Sequence, residues 1–333
     1  MRDFLCPSCG QRLAFENTQC LNCTVHLGFD LENLNFQVID ADAGTADAFE
    51  RCANAEIAGC NWLVVSGSGD TLCRSCLLTR TRPSSDDPIG LPEFAEAEAA
   101  KRRLVVELVE LNLPIVDRRK DPEHGLCFDL LSSAGSPVVT GHANGVITLD
   151  LAESDDVHRE QLRTSMDEPY RTLLGHFRHE IGHYYFEVLI AGTTHLAEFT
   201  GLFGDANLDY QEALQRHYAD GAPDGWQASF ISSYATMHPA EDWAETFAHY
   251  LHIRDTIDTA AAFGLAPAGA TMDRPIPGSI GFDHLIEIWL PLTWAMNMIN
   301  RSMGRPDLYP FVLPKSVLDK MLLVHKVVVG EGS

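Results

Sequence analysis

The sequence predicts an α+β protein in which a small Cys-rich domain precedes a larger domain that is mostly helical and contains a small sheet. Eight of the nine cysteines fall in residues 1–82, and the long helical patterns follow them. The segment 83–92 is rich in Pro, Ser and Asp, which is typical of a linker. The expected domains are therefore residues 1–82 and residues 93–333.

Composition excludes several classes of function. With 333 residues, 45% of them hydrophobic, the chain can bury a proper core. The formal net charge of −23 repels phosphate backbones and anionic lipid surfaces, so neither nucleic acid nor a membrane is an expected partner. No uninterrupted apolar run is long enough to span a membrane, and the N-terminal MRDFLCPSCG lacks the apolar stretch of a secretion signal. We therefore expect a cytoplasmic protein.

The cysteine spacing predicts two zinc sites, because cysteines without a secretion signal favour metal ligands over disulfides. The first set has the spacing C-x2-C-x10-C-x2-C, which suits tetrahedral zinc, and consists of Cys6, Cys9, Cys20 and Cys23. The second set has the spacing C-x7-C-x12-C-x2-C and consists of Cys52, Cys60, Cys73 and Cys76. Two alternatives stay open from sequence: an interleaved pairing of the two sets, and reduced cysteines scattered in a core.

The remaining cysteine and the net charge of the Cys-rich domain lead to two further predictions. Cys127 stands alone in GLCFDLL and is predicted to be a small buried apolar residue. Residues 1–82 carry six Arg and no Lys against ten acidic residues, a net charge of −4 that disfavours nucleic acid. A domain of this size has little core, so we expect its zinc to be structural, and a protein is the remaining candidate partner.

Periodicity and turn signals predict the elements between the cysteines and the later helices. An apolar stripe at helical spacing predicts a long helix over 93–113. Two β-rich runs in 136–154 are joined through Asn144 and Gly145, a pair that signals a tight turn. The second run, GVITLDL, is predicted to be an edge strand with which a peptide can pair.

One later helical segment carries the pattern H-E-x-x-H. The segment 168–190 has Pro169 at the position of a first helical turn and contains His179, Glu180 and His183. Two imidazoles four residues apart share one face of a helix and can bind one zinc ion. The glutamate between them can act as a general base, because zinc lowers the pKa of bound water to near 7.

A third ligand is predicted on a second helix. The segment HPAEDWAETFAHYLH (238–252) has a proline at its start and places Glu241 and Glu245 four residues apart on one face. We interpret Glu241 as the zinc ligand and Glu245 as the acceptor of a hydrogen bond from a zinc-bound imidazole. The reverse assignment stays open, as do His249 and His252 as rival ligands, although surface or interhelical positions suit these histidines better.

Further residues are candidates for stabilising the transition state. An oxyanion needs a donor besides the metal, and the candidates are His217, Tyr218, Tyr234 and His238. Tyr234 and His238 are favoured because they directly precede the helix that carries the third ligand. His176 shares the zinc-binding face, but we assign it to support or packing, because a catalytic zinc with three protein ligands keeps one position open.

The motifs together resemble a known family. They run from CPSCGQRLAFEN and LCRSCLLTRTRP through EPYRTLLGHFRHEIGHYYF and HPAEDWAETFAHYLHI to NRSMGRPDLYPFVL. Nearly end to end, the chain is similar to the bacterial zinc-binding metallopeptidases that carry an N-terminal zinc ribbon. The resemblance implies a zincin-like peptidase domain behind a zinc-ribbon domain. It places zinc on His179, His183 and a glutamate of the EDWAE stretch, with Glu180 as the base.

The sequence thus predicts zinc-dependent hydrolysis of peptide bonds, with one catalytic and two structural zinc ions and a peptide or protein as substrate. The alternative is a non-catalytic protein-binding module, or a pseudoenzyme, in which the zinc held by histidines is only structural. A Glu180→Gln variant separates the two, because the enzyme must lose turnover while it retains its zinc.

Overall fold

The chain forms two compact units. The computed structural model describes residues 2–39, 48–133, 136–154, 172–266 and 278–330. Unit 1 comprises Met1–Val109 and Pro114–Asp156, and unit 2 comprises Glu110–Leu113 and Val157–Ser333. This division differs from the one expected from sequence, because a strand that directly follows the cysteines pairs with strands beyond the predicted linker. The linker itself, at 83–92, stays a prediction.

Within its described residues, unit 1 contains three short hairpins and a four-stranded sheet. The hairpins are β1 (Phe4–Leu5) with β2 (Arg12–Leu13), β3 (Leu27–Asp30) with β4 (Asn35–Val38), and β5 (Phe49–Arg51) with β6 (Leu63–Val65). The sheet consists of β7 (Thr79–Thr81), β8 (Cys127–Leu131), β9 (Gly141–Ala143) and β10 (Val146–Asp150). A short helix, α1 (Arg74–Leu77), precedes β7, and a long one, α2 (Gly90–Glu110), follows it.

An aromatic cluster forms the core beneath the hairpins. The ring of Phe29 on β3 lies 4.9 Å from that of Phe15 and 5.5 Å from that of Trp62, between centroids. Hydrogen bonds reinforce these contacts, since the Phe29 N–H donates to the Asn61 carbonyl at 2.7 Å and Asn61 Nδ2 donates to the Phe15 carbonyl at 2.6 Å. Because the rings come from both cysteine-bearing segments, one shared core supports both cysteine sets.

The strand β10 lies inside the sheet, whose order is β7-β8-β10-β9. It pairs in parallel with β8 and antiparallel with β9. The prediction that GVITLDL is an edge strand open to a peptide is therefore wrong, because both of its backbone edges are already paired. Asn144 and Gly145, with φ of 49° and 77°, form the left-handed turn from β9 to β10.

The helix α2 begins at Gly90, inside the segment predicted to be a linker, and not at residue 93. Asp87 causes the earlier start, because its Oδ1 accepts a hydrogen bond from the Gly90 N–H at 2.8 Å and so caps the first turn. The helix ends at Glu110, and Asn112 then adopts a φ of 60°, which a continuing helix does not allow.

The described part of unit 2 is helical. Its helices are α3 (Leu173–Leu189), α4 (Leu196–Phe203), α5 (Tyr210–Asp220), α6 (Pro239–Ala262), α7 (Gly278–Ser302) and α8 (Lys315–Val328). Thr172 caps α3 by accepting a hydrogen bond from the Gly175 N–H at 2.9 Å. The predicted helix start at Pro169 lies outside the described residues. None of the described helices combines the length and the apolar character that crossing a membrane requires.

The helices α3 and α6 approach each other closely at Gly182. A Cβ atom at this position would lie 3.0 Å from the Cα of Ala244. Trp243 Nε1 donates to the carbonyl of Gly182 at 2.9 Å, and Arg178 on α3 pairs with Asp255 on α6 at 2.8 Å. These contacts hold the histidine-bearing turns of α3 against the first turns of α6.

A buried lysine fixes the beginning of α6. Lys320 on α8 donates through Nζ to Asp242 Oδ2 at 2.5 Å and to the Ser229 carbonyl at 2.9 Å. Its Nζ also lies 4.3 Å from the centroid of the Phe230 ring. Burial raises the pKa of Asp242 to about 7, although the charge of Lys320 opposes this rise.

Candidate metal centre

Three side chains from α3 and α6 meet at one point. His179 and His183 lie one turn apart on α3, and their Nε2 atoms are 3.3 Å apart. Glu241, in the first turn of α6, places Oε2 3.0 Å from Nε2 of His179 and 3.4 Å from Nε2 of His183. The structure thus brings together the imidazole pair and one of the two carboxylates that the sequence singles out.

Glu245 contacts the same imidazole from its other side. Its Oε1 accepts a hydrogen bond from Nδ1 of His179 at 2.7 Å. This bond keeps a proton of His179 on Nδ1, so that Nε2 is the ring atom that faces the other two side chains and can bind a metal ion. Of the two alternatives left open from sequence, the geometry favours Glu241 at the shared point and Glu245 behind the imidazole.

The spacing of the three atoms fits a zinc ion. Zinc–nitrogen bonds of about 2.0–2.1 Å in tetrahedral geometry place ligand atoms roughly 3.3 Å apart. The observed separations are 3.0, 3.3 and 3.4 Å. Among the residues that the structure describes, Oε2 of Glu241 is buried without a hydrogen-bond partner. A buried oxygen in this state is costly, and a bound cation would remove the cost.

The pKa values of three residues at the centre depend on one another. Burial lowers the pKa of His179, but the neighbouring carboxylates of Glu241 and Glu245 outweigh it and raise the pKa well above its ordinary value. Burial raises the pKa of Glu241, whereas the neighbouring His183 and His179 hold it well below its usual range. The pKa of Glu245 falls to about 2 despite burial, chiefly through its bond to His179. The two carboxylates thus favour a positive charge at this point, which either a proton on His179 or a metal ion can supply.

Glu180 follows His179 on α3 and is buried. Its Oε1 lies 3.2 Å from Nε2 of His176, while its Oε2 has no hydrogen-bond partner in the described part of the chain. Burial raises the pKa of Glu180, but the contact with His176 and the nearby histidine charges lower it below its ordinary value. The carboxylate is therefore ionised and can accept a proton. His176 contacts this carboxylate, in keeping with the supporting role expected for it.

Two tyrosines contact the centre. The hydroxyl of Tyr210 donates to Oε1 of Glu241 at 2.8 Å. The ring of Tyr234 lies 6.1 Å from that of His179 and 5.8 Å from that of His217. Burial, and then the charge of Glu241, raise the pKa of both tyrosines, so both hydroxyls keep their protons and can donate. His217 thus contacts Tyr234 and stands outside the donor group of the centre.

His238 has a different role from the catalytic one predicted for it. It is the N-cap residue of α6, where its Nδ1 accepts a hydrogen bond from the Ala240 N–H at 3.1 Å. Its Nε2 lies 3.1 Å from the Leu208 carbonyl, to which it donates. Because backbone groups use both ring nitrogens, neither is available for an oxyanion.

The two rival histidines of α6 do not belong to the group of three donor atoms. His249 is buried, and its Nδ1 lies 2.9 Å from the hydroxyl of Tyr309. The ring of His252 stacks on the same tyrosine at 5.4 Å between centroids. Burial lowers the pKa of His249 to about 4 and that of His252 to about 3, so both rings are neutral near pH 7. They serve packing within unit 2.

The eight cysteines of residues 1–82 form two groups of four. The first group consists of Cys6, Cys9, Cys20 and Cys23, and the second of Cys52, Cys60, Cys73 and Cys76. Sulfur–sulfur separations of 3.7 and 3.6 Å in the first group and 3.6 Å in the second match the value of roughly 3.8 Å for tetrahedral zinc thiolates. The cysteines are free thiols, and the interleaved alternative is not formed. Cys127 is buried outside both groups.

Charged residues of α2 surround the second cysteine group. Glu98 and Lys101 are fully buried and pair at 2.5 Å, and the thiol of Cys76 lies 3.7 Å from Oε2 of Glu98. Arg102 Nη1 donates to the carbonyl of Ala58 at 3.2 Å. The sequence does not indicate that these charged residues are buried, because it shows only an apolar stripe with charged residues on the remaining faces of the helix.

Sequence reasoning also missed the contacts that position the centre. Gly182 had a local signal, since glycine inside a helix costs about 1 kcal/mol relative to alanine and often marks close packing. Tyr210 had none, because it lies 31 residues from the glutamate that it contacts.

Two imidazoles, a carboxylate and an adjacent ionised glutamate define a candidate centre of the zinc hydrolase class, in a chain that also has two cysteine groups. A family model described as "Putative zinc-binding metallo-peptidase" matches residues 90–327, and a model described as a zinc-ribbon domain matches residues 3–87. The chain belongs to this zinc-binding metallopeptidase family. The family resemblance read from the sequence is thereby confirmed.

Close relatives occur in mycobacteria. Uncharacterized proteins from Mycobacterium bovis and Mycobacterium tuberculosis are each 64% identical over 329 residues, which cover 98% of this chain and 95% of each relative. No solved structure gives a significant match to the chain. Since the names of these relatives state no activity, the function is inferred from the site itself.

Proposed function

We propose that the protein is a zinc-dependent peptidase with a zincin-like catalytic region, in which His179, His183 and Glu241 hold the catalytic zinc. The observation that carries this proposal is the triangle of donor atoms with sides of 3.0, 3.3 and 3.4 Å. Glu180, ionised and buried beside the triangle, supplies the base that a hydrolase of this type needs.

Each side chain of the centre has a distinct task in this proposal. Zinc, when bound, supplies a water molecule acidic enough to act as the nucleophile near pH 7. Glu180 accepts the proton of this water at Oε2, while His176 holds Oε1 at 3.2 Å. The same carboxylate can then deliver the proton to the leaving amine. Glu245 keeps the proton of His179 on Nδ1, so that Nε2 stays available as a ligand.

Tyr234 is the proposed donor to the oxyanion. Its hydroxyl is protonated, and its ring lies beside the ring of His179. Loss of one oxyanion donor typically raises the barrier by about 2.7–4 kcal/mol. His217, whose ring lies 5.8 Å from that of Tyr234, orients this tyrosine in the proposed site.

For the cysteine groups we propose two structural zinc ions, which makes three zinc ions per chain with the catalytic one. Four thiolates complete a tetrahedron and leave no position for a substrate. The proposed substrate is a peptide or a protein, and the zinc-ribbon region is the proposed docking site for a protein partner. The charge of −23 disfavours nucleic acid, and the cytoplasmic location stays a prediction.

A Glu180→Gln variant tests the proposed function. Zinc content should stay at three ions per chain, while cleavage of a peptide library should fall roughly 10²–10⁴-fold. Glu187→Gln is the matched control, because Glu187 is an exposed glutamate of the same helix and should leave both values unchanged. Full activity of Glu180→Gln would refute the assignment of the base. A wild-type protein with three zinc ions and no cleavage of any peptide would favour the non-catalytic alternative.

A further inference from the structure

The two carboxylate oxygens of Glu241 have different surroundings. Oε1 accepts a hydrogen bond from the hydroxyl of Tyr210 at 2.8 Å. Oε2 faces the two imidazoles at 3.0 and 3.4 Å and, within the described residues, has no hydrogen-bond partner. One oxygen of the carboxylate therefore accepts a hydrogen bond from the protein, and the other is directed at the candidate metal site.

This division matters because a carboxylate can bind a metal through one oxygen or through both. A second oxygen on zinc would raise the number of ligands from four to five and crowd the water that a catalytic site must hold. A hydroxyl proton on Oε1 makes that oxygen a poorer ligand, since its lone pair already accepts a hydrogen bond. The hydrogen bond from Tyr210 thus favours binding of zinc through one oxygen of Glu241, which leaves room for water. Without this hydrogen bond, both oxygens could bind the metal.

We propose that Tyr210 is a positioning residue that restricts Glu241 to one metal-binding oxygen, and so preserves the coordination position for the water nucleophile. This proposal rests on the proposed function, since it requires zinc at the centre.

The surroundings of Tyr210 hold its hydroxyl at this place. It is the first residue of α5, and Asp209 caps the helix by accepting a hydrogen bond from the Glu212 N–H at 2.9 Å. The ring of Tyr210 lies 5.4 Å from that of His238, which also donates to the Leu208 carbonyl. The N-cap of α6 thereby ties the start of α5 to the turn that carries Glu241.

Tyr210 has a second connection through the other end of α5. His217, two turns further along the helix, contacts the ring of Tyr234, which in turn contacts His179. Ala213 is the buried residue of α5, so most of this helix is partly or fully exposed apart from its contacts with the centre. The position of α5 brings the hydroxyl of Tyr210 into contact with the proposed metal ligand Glu241.

The test replaces the zinc of the centre by cobalt(II) while zinc stays in the cysteine groups. Cobalt(II) with four ligands absorbs visible light several-fold more strongly than cobalt(II) with five. The spectrum of the centre is obtained by subtracting that of a His179→Ala, His183→Ala double variant. Tyr210→Phe removes one oxygen atom from a side chain that is 37% exposed, so the fold should be retained.

The proposal expects the visible absorption of Tyr210→Phe to fall several-fold, with cobalt still bound, as Oε1 of Glu241 joins the metal. Turnover should fall roughly 10–100-fold, mainly in kcat. Tyr218→Phe is the matched control, because Tyr218 lies on the same helix, is 67% exposed and should keep the wild-type spectrum.

An unchanged spectrum in Tyr210→Phe would overturn the proposal, whatever the activity. If the wild-type protein cleaves peptides and the spectrum does not change, only the role of Tyr210 fails. If the wild-type protein binds cobalt at the centre and cleaves nothing, the peptidase proposal fails and the two spectra still decide the role of Tyr210. Absence of any cobalt signal at the wild-type centre would overturn both.

Discussion

The cysteine groups and the histidine–glutamate centre achieve metal-binding geometry in opposite ways. Each cysteine group draws four thiols from one short segment with few strands of its own. The centre draws three donors from two long helices that already pack closely at Gly182. From this comparison we expect metal and fold to depend on each other in unit 1, and helix packing to set the ligand geometry in unit 2. Four variants or conditions can break or sharpen this contrast.

The largest effect is expected from Cys73→Ser. Binding of structural zinc contributes on the order of 10 kcal/mol to the folding of small zinc domains, so the variant should unfold the ribbon region. Serine can still cap α1, where the sulfur of Cys73 accepts from the Cys76 N–H at 3.5 Å, so the loss isolates the metal. Zinc analysis by mass and near-ultraviolet circular dichroism measure the outcome.

The matched control is Cys127→Ser, which changes a cysteine that is buried outside both groups. It should keep all three zinc ions. A Cys73→Ser protein that stays folded with one zinc fewer would show that the core, and not the metal, maintains unit 1.

A smaller but still large effect is expected from Lys320→Met in unit 2. The change leaves Asp242 buried without its cation, which typically costs about 3–5 kcal/mol. Chemical denaturation should therefore show a lower free energy of unfolding, with no loss of the cysteine-bound zinc. Lys326→Met on the same helix is the control, because its pair with Glu198 is partly exposed and worth at most about 1 kcal/mol. Equal effects of the two variants would contradict the role assigned to the buried pair.

Gly182→Ala should separate α3 from α6 and disturb the centre directly. The new methyl group would lie 3.0 Å from the Cα of Ala244 and 3.2 Å from its carbonyl oxygen, where the backbone cannot move aside easily. Overpacking of this kind costs about 1–3 kcal/mol. We expect lower stability and weaker zinc binding in a chelator competition assay.

Gly201→Ala is the control for this substitution. Gly201 also lies in a helix, but the structure shows nothing within 4 Å of a Cβ atom there. The change should be neutral or stabilising by about 0.4–1 kcal/mol. If Gly182→Ala behaves in the same way, the close approach does not control the metal geometry.

The smallest effect concerns pH. The pKa of His179 lies well above its ordinary value in the metal-free centre, so below that pKa zinc must displace a proton. Zinc affinity of the centre should therefore fall about tenfold for each unit by which the pH is lowered. Affinities from chelator competition between about pH 6 and 8 give this slope.

Glu245→Gln provides the internal test, because it removes one of the two carboxylates that raise the pKa of His179. The fall in affinity should then begin at a lower pH. The cysteine groups should show a steeper dependence, since several thiol protons leave when zinc binds. An onset at the same pH in the wild type and in Glu245→Gln would contradict the role assigned to Glu245 in raising the pKa of His179.

Spacing along the chain predicts which residues can converge at both kinds of site, and the structure brings the three donors and the two groups of cysteines together. The interval of four residues in HEIGH and in EDWAE determines which side chains share a helix face, and the cysteine intervals determine which thiols can converge. These are local relations, so they can be read without knowledge of the fold. The family expected from the motifs is confirmed, and the peptidase activity itself stays a proposal.

Contacts between distant segments explain what sequence reasoning missed. The interior position of β10 depends on its pairing with β8, and the capping role of His238 depends on the carbonyl of Leu208. The hydrogen bond from Tyr210 to Glu241 joins two helices without any periodic pattern. Each of these features follows from tertiary packing, which overrides local preferences and leaves no regular trace in the chain.

The aromatic cluster of unit 1 gives the ribbon region an optical label of its own. Trp62 is the one tryptophan in residues 1–156, and its indole is buried against Phe29 and Phe15 two residues after Cys60. The remaining tryptophans are Trp226, Trp243, Trp289 and Trp294. The part of the emission that is lost in a Trp62→Phe variant would therefore follow zinc entering and leaving the ribbon region in real time.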